Sequence, residues 1–203
     1  MGMRKRVGRA ERTGLNRGQV LAAARRVFLA RGYERATLDA IAREAGFSKG
    51  VVYSQFESKG DLFLALLEER IDERAAENEA LAKRYKGVEA VVAIVRAARE
   101  DAEAQRGWQL LLLEFRLHAA RDPGLNRRYA EAHGRTIAGV AATIERMLAD
   151  SSEELVEAPR HLAALVLALA PGLVLERASD PRILPQAVIE RAFARLLGTE
   201  PTR

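Results

Sequence analysis

Apolar residues recur along most of the chain with the spacing of an α-helix. In the first such segment, over residues 16–30, they stand at i, i+3, i+4 and i+7 positions. Gly32 follows and is expected to end this helix as a left-handed cap. The pattern then predicts a short helix over residues 37–45, ended by Gly46, and a second short helix that begins at Ser48.

Longer helices are predicted beyond this point. Ser58, with Asp61 three residues later, is a variant of the capping box and starts a helix that extends to about Tyr85. Asp122 is a suitable cap before Pro123, which a first helical turn tolerates. The remaining predicted helices cover residues 88–105, 107–121, 123–150, 159–178 and 185–198. We therefore expect an all-α protein of about nine helices.

The most apolar window of the chain is LAALVLALAPGLVL, from Leu162 to Leu175. It is shorter than the roughly 20 residues that cross a bilayer. Because it is apolar on nearly every side, we interpret it as a core helix that is buried on two faces. Whether Pro171 kinks or breaks this helix is left open by the sequence.

Composition and charge exclude some kinds of site and favour a polyanion as the binding partner. The 203 residues include no cysteine, which excludes disulfides and thiolate metal sites. Residues 1–60 hold 13 Lys/Arg and 5 Asp/Glu, a net +8, whereas residues 61–203 hold 20 and 23, a net −3. A basic end on a mildly acidic body indicates a polyanion-binding domain. The alternative is a solubilising surface that carries a disordered basic tail.

The two short helices form the pattern of a helix-turn-helix motif. In the second of them, GFSKGVVYSQF, Gly50 costs about 1 kcal/mol relative to alanine as a helix residue. A helix that enters the DNA major groove needs a first turn without bulk, and Lys49 and Tyr53 supply a cation and a phenol beside it. Taken alone, such a surface is more often an ordinary solvated helix face, but the two-helix spacing, the basic arm and the glycine together favour DNA binding.

The chain also resembles the tetracycline-repressor (TetR) family of bacterial transcriptional regulators. The similarity covers residues 20–63 and includes the patterns A-x-x-x-F with G-Y behind it, T-x-x-x-I-A-x-x-A-G, S-K-G-x-x-Y-x-x-F and S-K-x-x-L-F. It implies a flexible basic arm over residues 1–14, a DNA-binding domain over residues 15–60 and an effector-binding and dimerisation domain over residues 61–203.

The resemblance also implies which residues contact DNA. These are Thr37, Ser48, Lys49, Gly50, Val51, Tyr53, Gln55 and Lys59, of which Lys59 matches a phosphate-binding lysine. Departures from the usual pattern occur at Leu38, Phe47, Ser54, Gln55 and Gly60. Those at Ser54 and Gln55 affect which operator sequence is recognised and not the capacity to bind DNA.

For the C-terminal domain, the resemblance implies a homodimer through the last two helices and a site for a small, largely apolar effector. Val188, Phe193 and Leu196 belong to an apolar stripe on the last helix that suits dimerisation. Pockets are mostly apolar with a few polar groups. The effector candidates are therefore Trp108, Leu112, Phe115, His118, Tyr129 and His133, although such stripes are also typical of plain core.

The expected function is that of a cytoplasmic repressor that leaves operator DNA when the effector binds, with no cofactor, metal or membrane partner. The alternative is a dimeric regulator that needs no effector. An enzyme is disfavoured because the paired metal-binding and nucleophile motifs are missing, with Glu114 and His118 the nearest approach. A membrane-surface protein is disfavoured because the first helix is rich in alanine and has no tryptophan.

Overall fold

The computed structural model describes residues 9–86, 102–149, 155, 157–180 and 182–196. Every regular element in these ranges is a helix, and the all-α prediction is confirmed. The helices are α1 (Arg9–Arg35), α2 (Leu38–Ala45), α3 (Lys49–Tyr53), α4 (Lys59–Arg84), α5 (Ala102–Ala119), α6 (Pro123–Leu148), α7 (Pro159–Ser179) and α8 (Gln186–Leu196). The predicted helix over residues 88–105 lies largely outside the described residues.

The chain divides into two compact units, Met1–Glu69 and Arg70–Arg203. The division falls within α4, whose helical hydrogen bonding is continuous across it. Ser58 starts this helix as the sequence predicts, because its hydroxyl accepts from the Asp61 amide at 3.1 Å and donates to the Asp61 carboxylate at 2.8 Å. The first bond caps the helix as in a capping box, whereas the second joins two side chains and leaves out the Ser58 backbone amide that a full capping box uses.

The first helix differs from its prediction at both ends. It begins at Arg9, whereas a flexible arm over residues 1–14 and a start near residue 16 were expected. Gly32 has φ 76° and ψ 168°, so it interrupts the helix, but a further turn runs on to Arg35. The reason is tertiary: this extra turn places the Tyr33 ring in the core of the first unit, where it is 1% exposed.

An aromatic cluster forms the centre of the first unit. The Phe28 and Tyr33 rings stack with centroids 5.8 Å apart, and Phe63 of α4 meets both edge-on at 5.4 Å. Edge-on aromatic pairs contribute about 0.5–1.5 kcal/mol beyond their buried area. The cluster therefore fastens the end of α1 to the start of α4.

In the second unit, α6 packs most extensively against α7, and α5 packs against both. Asp122 caps α6 as predicted, since its Oδ1 accepts from the amides of Gly124 at 2.9 Å and Leu125 at 3.0 Å. The core between α6 and α7 is formed by buried Ala141, Ile144, Leu148, Leu162 and Ala163.

One side of α7 is apolar and uncovered. Pro171 lies inside this helix without ending it, because the helix continues to Ser179. Leu165, Leu169 and Leu175 are 44%, 48% and 46% exposed. Burial on two faces is therefore not achieved within one chain. Among the described residues, α7 alone has the length and composition of a membrane-spanning helix, a property that core helices of soluble proteins share.

Candidate nucleic-acid interface and effector site

The turn between α2 and α3 is fixed by local hydrogen bonds. Thr37 caps α2 by accepting from the Ala40 amide at 3.2 Å, and Gly46 ends α2 in the left-handed conformation at φ 72°. The amide of Phe47 then returns to the Ala42 carbonyl at 3.0 Å. These bonds leave Ser48 to start α3, although its hydroxyl makes no capping bond to the helix. That hydroxyl therefore remains exposed at the start of α3.

Lys49 lies in the first turn of α3, and its ammonium forms an ion pair with Asp39 in the first turn of α2. This pair joins the starts of the two short helices, close to Thr37. The side chain of Lys49 is 68% exposed, so the same ammonium is accessible from solvent. The other carboxylate oxygen of Asp39, Oδ1, is buried and has no hydrogen-bond partner within the described ranges.

Gly50 is not required by the packing of the protein. A Cβ at this position would meet only the Ser48 hydroxyl, at 3.9 Å, and the backbone φ is not positive. The space beside Gly50 is open to solvent. Tyr53, one turn further along α3, is 51% exposed. An exposed glycine in a helix, with no internal reason to be glycine, is the feature expected where another molecule approaches closely.

Three of the predicted DNA-contacting residues are half-buried or hydrogen-bonded within the protein. Val51 is half-buried. The Gln55 amide group donates to the Val51 carbonyl at 3.2 Å, so this side chain is turned back toward α3, which precedes it. The Lys59 ammonium donates to the carbonyls of Tyr33 at 2.8 Å and Glu34 at 3.0 Å. Lys59 thus caps the end of α1, and its predicted role in phosphate binding stays a prediction.

The surroundings of Lys59 affect its ionisation in two directions. Its ammonium lies 4.4 Å from the centroid of the Tyr33 ring. Burial lowers the pKa of Lys59, and the neighbouring charge of Glu34 acts against this shift. The sequence signals that place Lys59 near DNA could not show this internal contact, because its carbonyl acceptors lie 25 and 26 residues earlier in the chain.

In the second unit, the structure brings together three of the six effector candidates. The Tyr129 ring meets Phe115 edge-on at 5.8 Å and stacks on the His133 imidazole at 5.4 Å. Trp108 is also buried, on the same side of α5 as Phe115 and two turns away. Leu112 and His118 are half-buried on α5.

Arg116 is the residue at this site that the sequence analysis missed. Its guanidinium lies 5.8 Å from the centroid of the Tyr129 ring. Burial lowers the pKa of His133, and the charge of Arg116 lowers it further. Burial also raises the pKa of Tyr129, with Arg116 acting against it. The available signal was an arginine directly after Phe115, in a stretch from Trp108 to Leu117 whose other charged residue is Glu114.

Comparison with protein families gives two matches. Residues 20–66 match the model of bacterial regulatory proteins of the tetR family, and residues 87–200 match the C-terminal domain of BetI-type transcriptional repressors. The second match alone spans more than half of the chain. The chain belongs to the TetR family. It is a member of a family of DNA-binding transcriptional regulators and not of enzymes.

Individual relatives of this TetR-family chain agree with that assignment. It is 52% identical over 56 residues to the transcriptional activator FasR of Mycolicibacterium smegmatis, covering 28% of this chain and 26% of FasR. It is 33% identical over 131 residues to a transcriptional repressor of Mycobacterium tuberculosis, covering 64% of each chain. The chain thus spans less than two thirds of the length of these curated relatives.

The solved structure of Salmonella enterica GusR has the same fold. It superposes on this TetR-family chain with a TM-score of 0.70 at 22% identity, covering 95% of this chain and 99% of GusR. Among the described residues, no group of three or more His, Asp or Glu side chains could hold a metal ion.

Proposed function

We propose that this TetR-family protein is a homodimeric repressor that binds operator DNA through α3 and leaves it when a small, largely apolar effector binds the second unit. The observation that carries the DNA-binding part is the surface around Gly50. There an open helix start lies between an exposed hydroxyl, a cation and a phenol, at Ser48, Lys49 and Tyr53.

The charge distribution supports this surface as the DNA contact. Phosphate contacts position a protein on duplex DNA, and they come from lysine, hydroxyl groups and free amides at helix starts. The exposed start of α3 offers all three, and it lies in the basic part of the chain. Ser54, which follows α3, and Gln55 each donate one hydrogen bond to the Val51 carbonyl.

The uncovered face of α7 supports a dimer. Exposed leucines recur along it, and exposed Val188 lies on the neighbouring α8. Several exposed apolar side chains along one helix are typical of subunit interfaces. Two-fold symmetry also suits an operator with two half-sites, because a helix-turn-helix dimer contacts successive major grooves. The same symmetry would let one effector-induced change act on both DNA-binding units.

Effector binding is supported by the cluster around Tyr129, which combines buried aromatic rings with a few polar groups, the usual composition of a ligand site. The predicted mechanism is that the effector shifts α4, which extends from the second unit into the first. Cytoplasmic location follows from the proposed role on DNA. No membrane partner is proposed, because the dimer accounts for the apolar face of α7.

Footprinting of the upstream region of its own gene, with and without a panel of apolar and aromatic compounds, tests both parts. We expect salt-dependent protection with a log-log slope of about −0.9 for each phosphate neutralised. Protection that every compound leaves intact would favour the effector-independent regulator. A protein that binds no upstream duplex would contradict the DNA-binding proposal itself.

Alanine variants assign the interface. Replacing Lys49 or Tyr53 by alanine should each reduce operator affinity by about 1–3 kcal/mol if both make good contacts. The matched control is Lys83→Ala, which removes an exposed lysine from α4 in the second unit. Unchanged affinity in both α3 variants would remove α3 from the proposed interface.

A further inference from the structure

Three polar side chains meet at the junction of α5 and α6, and none is hydrogen-bonded by another side chain in the described part of the chain. They are Arg116, Tyr129 and His133, linked by ring contacts of 5.8 Å and 5.4 Å. The Tyr129 ring is buried and contacts both Phe115 and His133. The polar atoms of the three side chains are not among the described buried atoms that lack a hydrogen-bond partner, so they reach solvent. A molecule that approaches from solvent therefore meets a guanidinium, a phenol and an imidazole together.

The charge of the cluster determines what kind of molecule fits. Arg116 is half-buried and forms no ion pair with any carboxylate in the described ranges. Burial and the charge of Arg116 both lower the pKa of His133, so the imidazole remains neutral near neutral pH. The cluster therefore carries one positive charge with several donors beside it. That arrangement matches a monoanion, because a dianion would leave one charge uncompensated.

The apolar residues beside Arg116 indicate what the rest of the ligand is like. Trp108, Leu112 and Phe115 share one side of α5, and Arg116 directly follows Phe115 in the chain. Trp108 and Arg116 are eight positions apart, which is about 12 Å along a helix. A ligand that contacts both Arg116 and Trp108 has a compact acidic group at one end and an apolar body of about 12 Å.

From this juxtaposition we infer that the effector is an amphipathic carboxylate. Its carboxylate binds the Arg116 guanidinium and accepts from the Tyr129 hydroxyl, and its apolar body lies along the Trp108 side of α5. A guanidinium and a carboxylate form two parallel charge-assisted hydrogen bonds, which gives both strength and orientation. The inference rests on the proposed effector-released repressor and adds the chemical class of the effector.

The single tryptophan of the chain makes binding measurable. The full-length protein is titrated with straight-chain carboxylates from hexanoate to hexadecanoate, below their micelle concentrations, while Trp108 fluorescence is recorded. The matching primary alcohols are the neutral controls. We expect saturable binding of at least one carboxylate, with affinity at least about 10-fold higher than that of its alcohol.

Variants then test the assigned groups. Arg116→Gln should weaken carboxylate binding about 10-fold to 100-fold and leave alcohol binding unchanged. Tyr129→Phe keeps the ring and should give a smaller loss. Arg121→Gln is the matched control, because it removes an exposed arginine from the loop after α5. Circular dichroism confirms that each variant is folded, and Tyr129→Phe keeps the test decisive if Arg116→Gln does not fold.

The outcomes separate this inference from the proposed function. Equal affinity for carboxylate and alcohol, no saturable binding of any carboxylate, or equal losses in Arg116→Gln and Arg121→Gln would overturn the carboxylate site. In each of these cases, operator binding and its release by a different compound would leave the proposed repressor intact. Carboxylate binding that depends on Arg116 but never releases operator DNA would support the site and contradict the release mechanism.

Discussion

Lys49 at the start of α3 is held by Asp39 in the first turn of α2, on the surface proposed to contact DNA. A phosphate that binds Lys49 has to compete with this carboxylate, and it also approaches a like charge. Asp39→Asn removes both effects. We expect operator affinity to increase by up to about 1 kcal/mol, the range measured for exposed ion pairs.

The measurement for Asp39→Asn is a salt titration of DNA binding on operator and on random duplex. Because phosphate contacts are independent of sequence, both affinities should rise and the salt slope should become steeper. Glu57→Gln removes an exposed carboxylate outside α2 and α3 and is the control. A loss of affinity in Asp39→Asn would mean instead that Asp39 holds Lys49 in its binding position.

Gly50 allows fold stability to be separated from DNA binding. Since an added Cβ meets nothing closer than 3.9 Å, Gly50→Ala should stabilise the protein by up to about 1 kcal/mol through helix propensity. The same methyl group occupies the proposed clearance for DNA, so operator affinity should fall. Urea denaturation and a binding titration measure the two effects.

The control for this variant is Gly139→Ala in α6, where an added Cβ also meets nothing within 4 Å. It should alter stability by a comparable amount and leave operator binding unchanged. Operator affinity that survives Gly50→Ala would show that no DNA atom comes close to this position.

Lys59 is predicted to contribute to stability whether or not it also contacts DNA. Lys59→Met keeps the aliphatic part of the side chain and removes two hydrogen bonds to the end of α1, at a cost of about 1–2 kcal/mol in the free energy of unfolding. Lys83→Met, on the same helix, removes only an exposed ion pair and should cost about 0.5 kcal/mol or less.

A salt titration of operator binding shows whether Lys59 also contacts DNA. If Lys59 also binds a phosphate, its replacement should reduce the salt slope by about 0.9. An unchanged slope with reduced stability would make Lys59 a purely structural residue.

Sequence patterns predicted the local features of this molecule well and the tertiary ones poorly. Thr37, Ser58 and Asp122 were identified as helix caps because a cap bonds within its own turn. The extra turn after Gly32 was missed because it depends on Phe63, about thirty residues further on. The pairing of Lys49 with Asp39 and the position of Arg116 over Tyr129 likewise arise between helices, where periodicity carries no information.

Protonation of His133 is predicted to weaken the fold. Burial and Arg116 lower its pKa in the native state, so the unfolded chain binds the proton more tightly. Stability contributed by the neutral imidazole is therefore present above the unfolded pKa of about 6.5 and is lost as the pH falls through the folded pKa.

The expected result is that wild type loses stability relative to His133→Gln between about pH 8 and about pH 5 in urea denaturation. His161→Gln, which removes an exposed imidazole at the start of α7, provides the comparison. A stability difference between wild type and His133→Gln that does not vary with pH would contradict the prediction.

The dimer predicted from the exposed face of α7 can be tested by placing one charged side chain on that face. Leu169 is 48% exposed in the single chain, so Leu169→Glu leaves the core of the subunit intact. In a symmetric interface it would remove two buried leucines, each worth about 1.5–3 kcal/mol, and raise the dimer dissociation constant by about 100-fold or more. Sedimentation velocity measures the change.

Leu117→Glu makes the same replacement at a 63% exposed leucine of α5 and should leave the oligomeric state unchanged. A monomeric wild-type protein, or a Leu169→Glu variant that remains dimeric, would exclude this face of α7 as the interface.

The hydrogen bonds from Lys59 and the packing of Phe63 fasten the start of α4 directly to the end of α1. A rotation of that first turn must therefore carry α1 with it, together with α2, which packs on α1, and α3, which packs on α2. The proposed DNA-binding surface would then change its orientation as one rigid body, and the contacts within it would be preserved. In the proposed dimer, an effector could then change the distance between the two DNA-binding units without unfolding or reshaping either of them.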